Sequence, residues 1–171
     1  MNAIAFLQAS TDFAHRTYEQ TVAGLTAAQA NHPPLGLAGT VGSCMAHVVF
    51  VEDTLIQAVL RGVPKLHSSE FAGRTGISDP QMFNTEKWRV SVRAYPESLG
   101  AYAGAVFRAT DQYLASLTDS DLDATRDMSA AGLGTRTVGW MLANLVIAHL
   151  NNLTGEISAL KGAQGLTGYP F

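Results

Sequence analysis

Apolar residues recur at three- and four-residue intervals in four long segments of this chain, the spacing that lines up one face of an α-helix. No segment alternates strictly or gathers β-branched residues as a strand would. The pattern predicts an all-α protein, an up-and-down four-helix bundle formed by a single domain over residues 1–171. The first helix spans about Asn2 to Gly24, with Ile4, Leu7, Ala14, Tyr18 and Val22 on its inward face. The prolines and glycines of "GLTAAQANHPPLGLAGT" end it. A second helix starts at Thr40 or Ser43, either of which can cap free backbone N–H groups, and continues to Gly62 with Cys44, His47, Val48, Val51 and Leu55 on one side.

From Gly62 to about Ala94 turn-forming residues predict a long crossover with short helical pieces, ordered over one end of the bundle. Pro96 suits the first turn of a third helix whose stripe is Leu99, Tyr102, Val106, Ala109 and Tyr113. The Ser- and Asp-rich "TDSDLDATRDMSAAGLGT" reads as the next connection. The fourth helix begins near Thr135 or Thr137 and reaches about Leu160, its main face carrying Val138, Leu142, Leu145, His149, Asn152 or Leu153, Glu156 and Leu160. Gly162 is placed to supply the left-handed residue that stops it. Trp140, Val146, Ile147 and Leu150 lie off that stripe. A helix apolar on more than one side needs a central position or a partner, which suggests a homodimer through helix four, together with helix one or two.

Composition narrows the function more than the fold. Eleven basic against 14 acidic residues give a net charge of -3, and no basic cluster interleaves with aromatics, so a nucleic-acid partner is not expected. The apolar window "VGWMLANLVIAHL" is shorter than the roughly 20 residues that cross a bilayer and contains Asn144 and His149, so it reads as a core helix and no membrane association is expected. One cysteine, Cys44, excludes an intramolecular disulfide, and the N-terminus lacks the features of a signal peptide; the expected compartment is the cytoplasm. In "TEKWRVSVR", Lys87, Arg89 and Arg93 around Trp88 could contact an anion, but a solvated crossover anchored by its tryptophan accounts for the same residues.

Of five histidines, His47 and His149 lie on strongly apolar helical faces, while His15 has polar neighbours and His32 and His67 fall in loops. Two imidazoles on facing helices can hold a divalent transition metal; each can equally be a core residue bonded to a neighbouring carbonyl or carboxylate. The segments "GLTAAQANHPP", "HVVFVED" and "IAHLNNLTGEISALKGAQGLTGYPF" resemble the DinB/YfiT-like superfamily of bacterial four-helix bundles, across residues 1 to 62 and again in the last helix and tail. That resemblance implies a histidine in helix two and a His-x-x-x-His pair in helix four, together holding zinc, nickel or a similar ion, which some members use to activate a low-molecular-weight thiol. His47 and His149 match two of those positions, and the third is Leu153.

A leucine has no lone pair, so the resemblance implies a degenerate centre in which metal is weakly bound or absent. Cys44, three residues before His47, is the candidate substitute ligand, with a small buried hydrophobe as its plain alternative. Glu52 is rotated away from the His47 face, and Glu156 is expected to face the core and orient an imidazole or a water. Three functions are compatible with these residues: a small-molecule binding or regulatory dimer with little or no catalysis, a metal-dependent and thiol-dependent transferase or hydrolase, or a purely structural dimer.

Overall fold

The computed structural model describes residues 2–34, 36–81 and 84–171. Four long helices carry the fold: α1 (Ala3–Val22), α2 (Val41–Arg61), α3 (Pro96–Ala115) and α4 (residues 138–163). Their starts are set by the residues that satisfy orphan N–H groups. Asn2 accepts from Ala5 N at 2.8 Å, Thr40 from Ser43 N at 2.9 Å and Thr137 from Trp140 N at 3.2 Å, while Pro96 occupies the first turn of α3. At the other end α4 runs past Gly162 to Ala163, and the left-handed glycine beyond it is Gly165.

The all-α bundle is therefore present, and its order is dictated by the long crossover. α1 packs against α3 and α4, and α2 against the same two, so α1 and α2 are diagonal. Lys161 Nζ donates to Thr21 O, so α4 runs parallel to α1, whereas the Ile4 N–H bonds to Asp119 beyond the far end of α3, so α3 runs antiparallel to α1. His47 meets His149 and Cys44 meets Glu156, which makes α2 antiparallel to α4. The helices thus run up, down, down, up. Because α2 and α3 point the same way, the connection between them must travel the length of the bundle.

The crossover does this along the flank of α2 instead of covering one end. Leu66 and His67 sit at Asp53, Trp88 at His47, and Arg89 at Gly39. Leu66–Ser68 and Glu86–Ser91 are its helical turns. Trp88 is buried and donates its indole N–H to Asp79 O at 2.7 Å, so it anchors the segment, while Arg93 donates to the carbonyls of Val90, Ser91 and Val92. Gly76 lets the returning chain touch α3: its φ is +71°, and a Cβ there would lie 2.4 Å from Leu99 N.

The connection before α4 differs from the expected run of turns. It contains a small antiparallel ribbon, β1 (Thr125–Asp127) paired with β2 (Thr135–Thr137). Three-residue strands are too short to show a period in sequence. α2 is long and apolar enough to cross a membrane, but most of it is buried as the central helix of the bundle; the apolar window singled out in the sequence is the shorter one in α4.

Buried Asp53 fastens crossover to core. Its carboxylate accepts from Leu66 N and His67 N, each at 3.0 Å, and from the Tyr102 hydroxyl at 2.7 Å. Asp53→Ala strands three donors at once and should lower unfolding free energy by about 2–4 kcal/mol. Urea titration checks this, and a loss below about 1 kcal/mol, close to that of an ordinary surface substitution, would remove Asp53 as the fastening point.

Candidate functional site

The site is built by two helices that cross-present one imidazole each. On α2, His47 is half-buried among residues that are almost all buried. On α4, the seven residues Leu142–Ala148 are wound with i→i−5 hydrogen bonds, as a π-helix, immediately before His149. The buried face of α4 is Val138, Met141, Leu142, Val146, Leu150, Thr154, Ile157 and Lys161. Beyond Leu142 every buried position falls one residue later than a regular helix predicts: 146 for 145, 150 for 149, 154 for 153, 157 for 156, 161 for 160. An extra residue taken up in the wide turn rotates the remainder of the helix by about 100°.

That rotation moves His149 from the middle of the core face to its margin, where it is half-buried. The His47 and His149 rings meet edge to face with centroids 5.2 Å apart, and Trp88 approaches His47 at 6.3 Å. Both imidazoles open on a cavity of about 210 Å³ whose other walls are Val51, Leu55, Met128, Ala131, Leu133 and Leu145. His47 Nδ1 is buried and has no hydrogen-bond partner among the described residues. Burial, reinforced by His149, pushes the His47 pKa down to about 4; burial also lowers that of His149, against the opposing field of Glu52. At neutral pH both rings are uncharged and offer lone pairs.

The rest of the expected set is dispersed. Leu153 is half-buried and packs into the core. Cys44 is buried elsewhere in α2 and is not a wall of the cavity; burial and the nearby Glu156 carboxylate push its thiol up to about 12, so it is not a ready thiolate. Asn152 and Glu156, expected on the inward stripe, are exposed, for the same reason of register. Among the described residues no third His, Cys, Asp or Glu joins the pair in an arrangement that could hold an ion. The two imidazoles fit part of a three-histidine centre, and the residues present do not complete one.

Sequence reasoning missed a second buried group. His15 of α1 reaches across the bundle's diagonal to Glu52 of α2, with Nε2 and Oε1 2.9 Å apart, and stacks on Phe107 at 3.9 Å. Thr110 of α3 donates to the same oxygen at 2.6 Å, and Asp111 lies 4.0 Å from His15 Nδ1. Burial pulls the His15 pKa down, but Glu52 and Asp111 outweigh it and raise it overall. The available signal was positional: residue 15 stands four after Thr11 and three before Tyr18, which places it on the buried face despite polar chain neighbours.

A model of the DinB superfamily matches residues 10–156, most of the chain. The chain belongs to the DinB superfamily. The match ends at Glu156, so residues 157–171 of the C-terminal segment that resembles the family lie outside it. A crystal structure of a conserved protein from Enterococcus faecalis superposes with a TM-score of 0.80 over 95% of this chain and 97% of that one, at 22% identity, which shows a shared fold. No curated protein matches.

The histidines of this DinB-superfamily bundle should titrate in two opposed ways. Stability owed to the neutral His47 is present above the ordinary pKa of 6.5 and is lost as pH falls towards 4. The contribution of protonated His15 is complete below 6.5 and is lost as pH rises through its elevated value. Histidine-selective NMR titration should find His15 the last ring to deprotonate on raising the pH and His47 the first; the reverse order would refute both environments.

Proposed function

We propose that this DinB-superfamily protein binds a small molecule in the His47–His149 cavity, with a degenerate metal centre and little or no catalysis. The observation that carries the reading is the convergence of two neutral imidazoles on one apolar-walled cavity while the position one turn after His149 is Leu153. Two imidazoles hold zinc or nickel weakly, since such ions take three protein ligands at a catalytic site. They remain good hydrogen-bonding partners for a ligand whose body fills the space between Val51, Leu55 and Leu145. A single buried thiol suits the cytoplasm.

Metal analysis of protein purified without an affinity tag tests this directly. The native chain should carry well under one equivalent of zinc or nickel, and Leu153→His should raise occupancy towards one. Stoichiometric metal in the native chain, lost in His47→Ala and His149→Ala, would overturn the degenerate centre and favour the metal-dependent transferase or hydrolase instead. No metal even in Leu153→His would favour two structural histidines.

The same reading makes the protein a dimer. Phe6 and Phe13, one above the other on α1, are exposed beside Ile147 of α4, and a second copy would cover them. Sedimentation velocity should give a dimer at micromolar concentration that Phe6→Lys with Phe13→Lys converts to monomer. A native monomer would remove the pairing.

A further inference from the structure

The ribbon before α4 places two arginines directly opposite one another. Arg126 of β1 pairs with Arg136 of β2, the neighbouring pairs being Thr125 with Thr137 and Asp127 with Thr135. Like charges facing across a ribbon destabilise it. Here the threonines Thr125 and Thr135 are exposed while both arginines are half-buried, the inverse of the usual arrangement for a surface ribbon. Arg136 lies over the Trp140 ring at 4.9 Å, and its Nε is buried with no hydrogen-bond partner among the described residues.

Three of the four acidic residues nearest in sequence are already engaged, and the fourth, Asp123, pairs with neither arginine among the described residues. Asp121 accepts from Thr118, Asp119 from Ile4 N, and Asp127 from Ser129 N. Neither arginine forms a salt bridge among the described residues. Each guanidinium is oriented by one bond from Nη1 to a backbone carbonyl, Arg126 to Thr125 O at 2.9 Å and Arg136 to Thr135 O at 3.0 Å. The remaining N–H groups of both forks are left for another acceptor.

Strand geometry ties this pair to the cavity. Met128 stands two residues beyond Arg126 and so projects from the same face of the ribbon, and the ladder continues through its N–H to Gly134 O at 2.9 Å. Met128 and Leu133 are walls of the His47–His149 cavity. One short hairpin thus presents apolar side chains to the cavity and, one step along, two uncompensated cations.

We propose that Arg126 and Arg136 form an anion-binding site beside this cavity and take a phosphate or carboxylate group of the small molecule that the cavity holds. The apolar body lies against Met128, Leu133 and Leu145, the imidazoles bond its polar end, and the arginine pair holds its charge. The ligand assignment rests on the cavity reading above; the anion site itself rests on the ribbon.

NMR titrations at low ionic strength with phenyl phosphate, inorganic phosphate and benzyl alcohol separate the two. Phenyl phosphate should move both the Arg136 Nε–H signal and the His47 and His149 ring signals, inorganic phosphate the arginine signal alone, and benzyl alcohol the histidine signals alone. In the R126Q/R136Q variant phenyl phosphate should bind about tenfold more weakly or worse, the scale of a lost charge-assisted bond, with benzyl alcohol unaffected. Thermal melting guards against misfolding: R126Q alone should hold or raise Tm, by up to about 3 °C, because it relieves repulsion. Equal phenyl phosphate affinity in native and R126Q/R136Q protein, or an Arg136 signal that no anion moves, would overturn the site. An Arg136 signal that both anions move, while no probe moves either histidine, would support the anion site and sink the cavity reading.

Discussion

The placement of His149 depends on one extra residue wound into the turn that precedes it. With regular hydrogen bonding through Leu142–Ala148 the ring would project into the bundle's core face, where a neutral imidazole needs protein partners for both nitrogens. Rotated to the margin, it meets His47 at the wall of a cavity, where its ring nitrogens have no hydrogen-bond partner among the described residues. The widened turn exchanges helix regularity for access, as such turns do where a helix serves a site. α2 is wound in the same way over Thr54–Arg61, beyond His47, so the imidazole of that helix is set by regular winding from the Thr40 cap and only one of the two is repositioned.

The two histidine groups divide the interior into opposite electrostatic regimes. At the bundle's centre His15 meets Glu52 and Thr110, and the carboxylate stabilises a protonated ring despite nearly complete burial. It joins α1, α2 and α3 in a lock across the diagonal, where α1 and α2 pack less extensively than either does against α3 and α4. At the periphery, His47 and His149 face only apolar walls and each other, so desolvation wins and both stay neutral. Glu52 links the regimes: one oxygen serves His15 and Thr110, the other is buried without a partner among the described residues, and its field still reaches His149.

The bundle itself is legible in the sequence because its cause is periodic. Helix starts at Asn2, Thr40, Pro96 and Thr137 are marked by residues whose chemistry caps a helix, and the pairing of α2 with α4 that brings His47 near His149 follows from their apolar faces, while the final placement of His149 does not. The features that escape are aperiodic or non-local. A π-wound turn has no sequence signature, so a regular helical wheel displaces the α4 stripe by one residue and turns Glu156 inward. The His15–Glu52 contact joins residues 37 positions apart, and the polar neighbours around His15 do not disclose the partner. Glu52 is indeed rotated off the His47 face, yet that rotation is what aims it at α1 and α3.

The ribbon ahead of α4 differs from the bundle in what it can present to the cavity. The bundle's own walls are committed to packing, and within the cavity they contribute apolar surface and two uncharged rings. Charge recognition requires donors that can tolerate solvent and a backbone free to vary, which a hairpin between helices offers. Placing Arg126 and Arg136 opposite one another costs stability, which Arg136 offsets in part by lying over the Trp140 ring. On the proposed reading, a leucine one turn after His149 does not empty the site of chemistry: the helices supply a neutral, apolar chamber, and the hairpin beside it carries the charge.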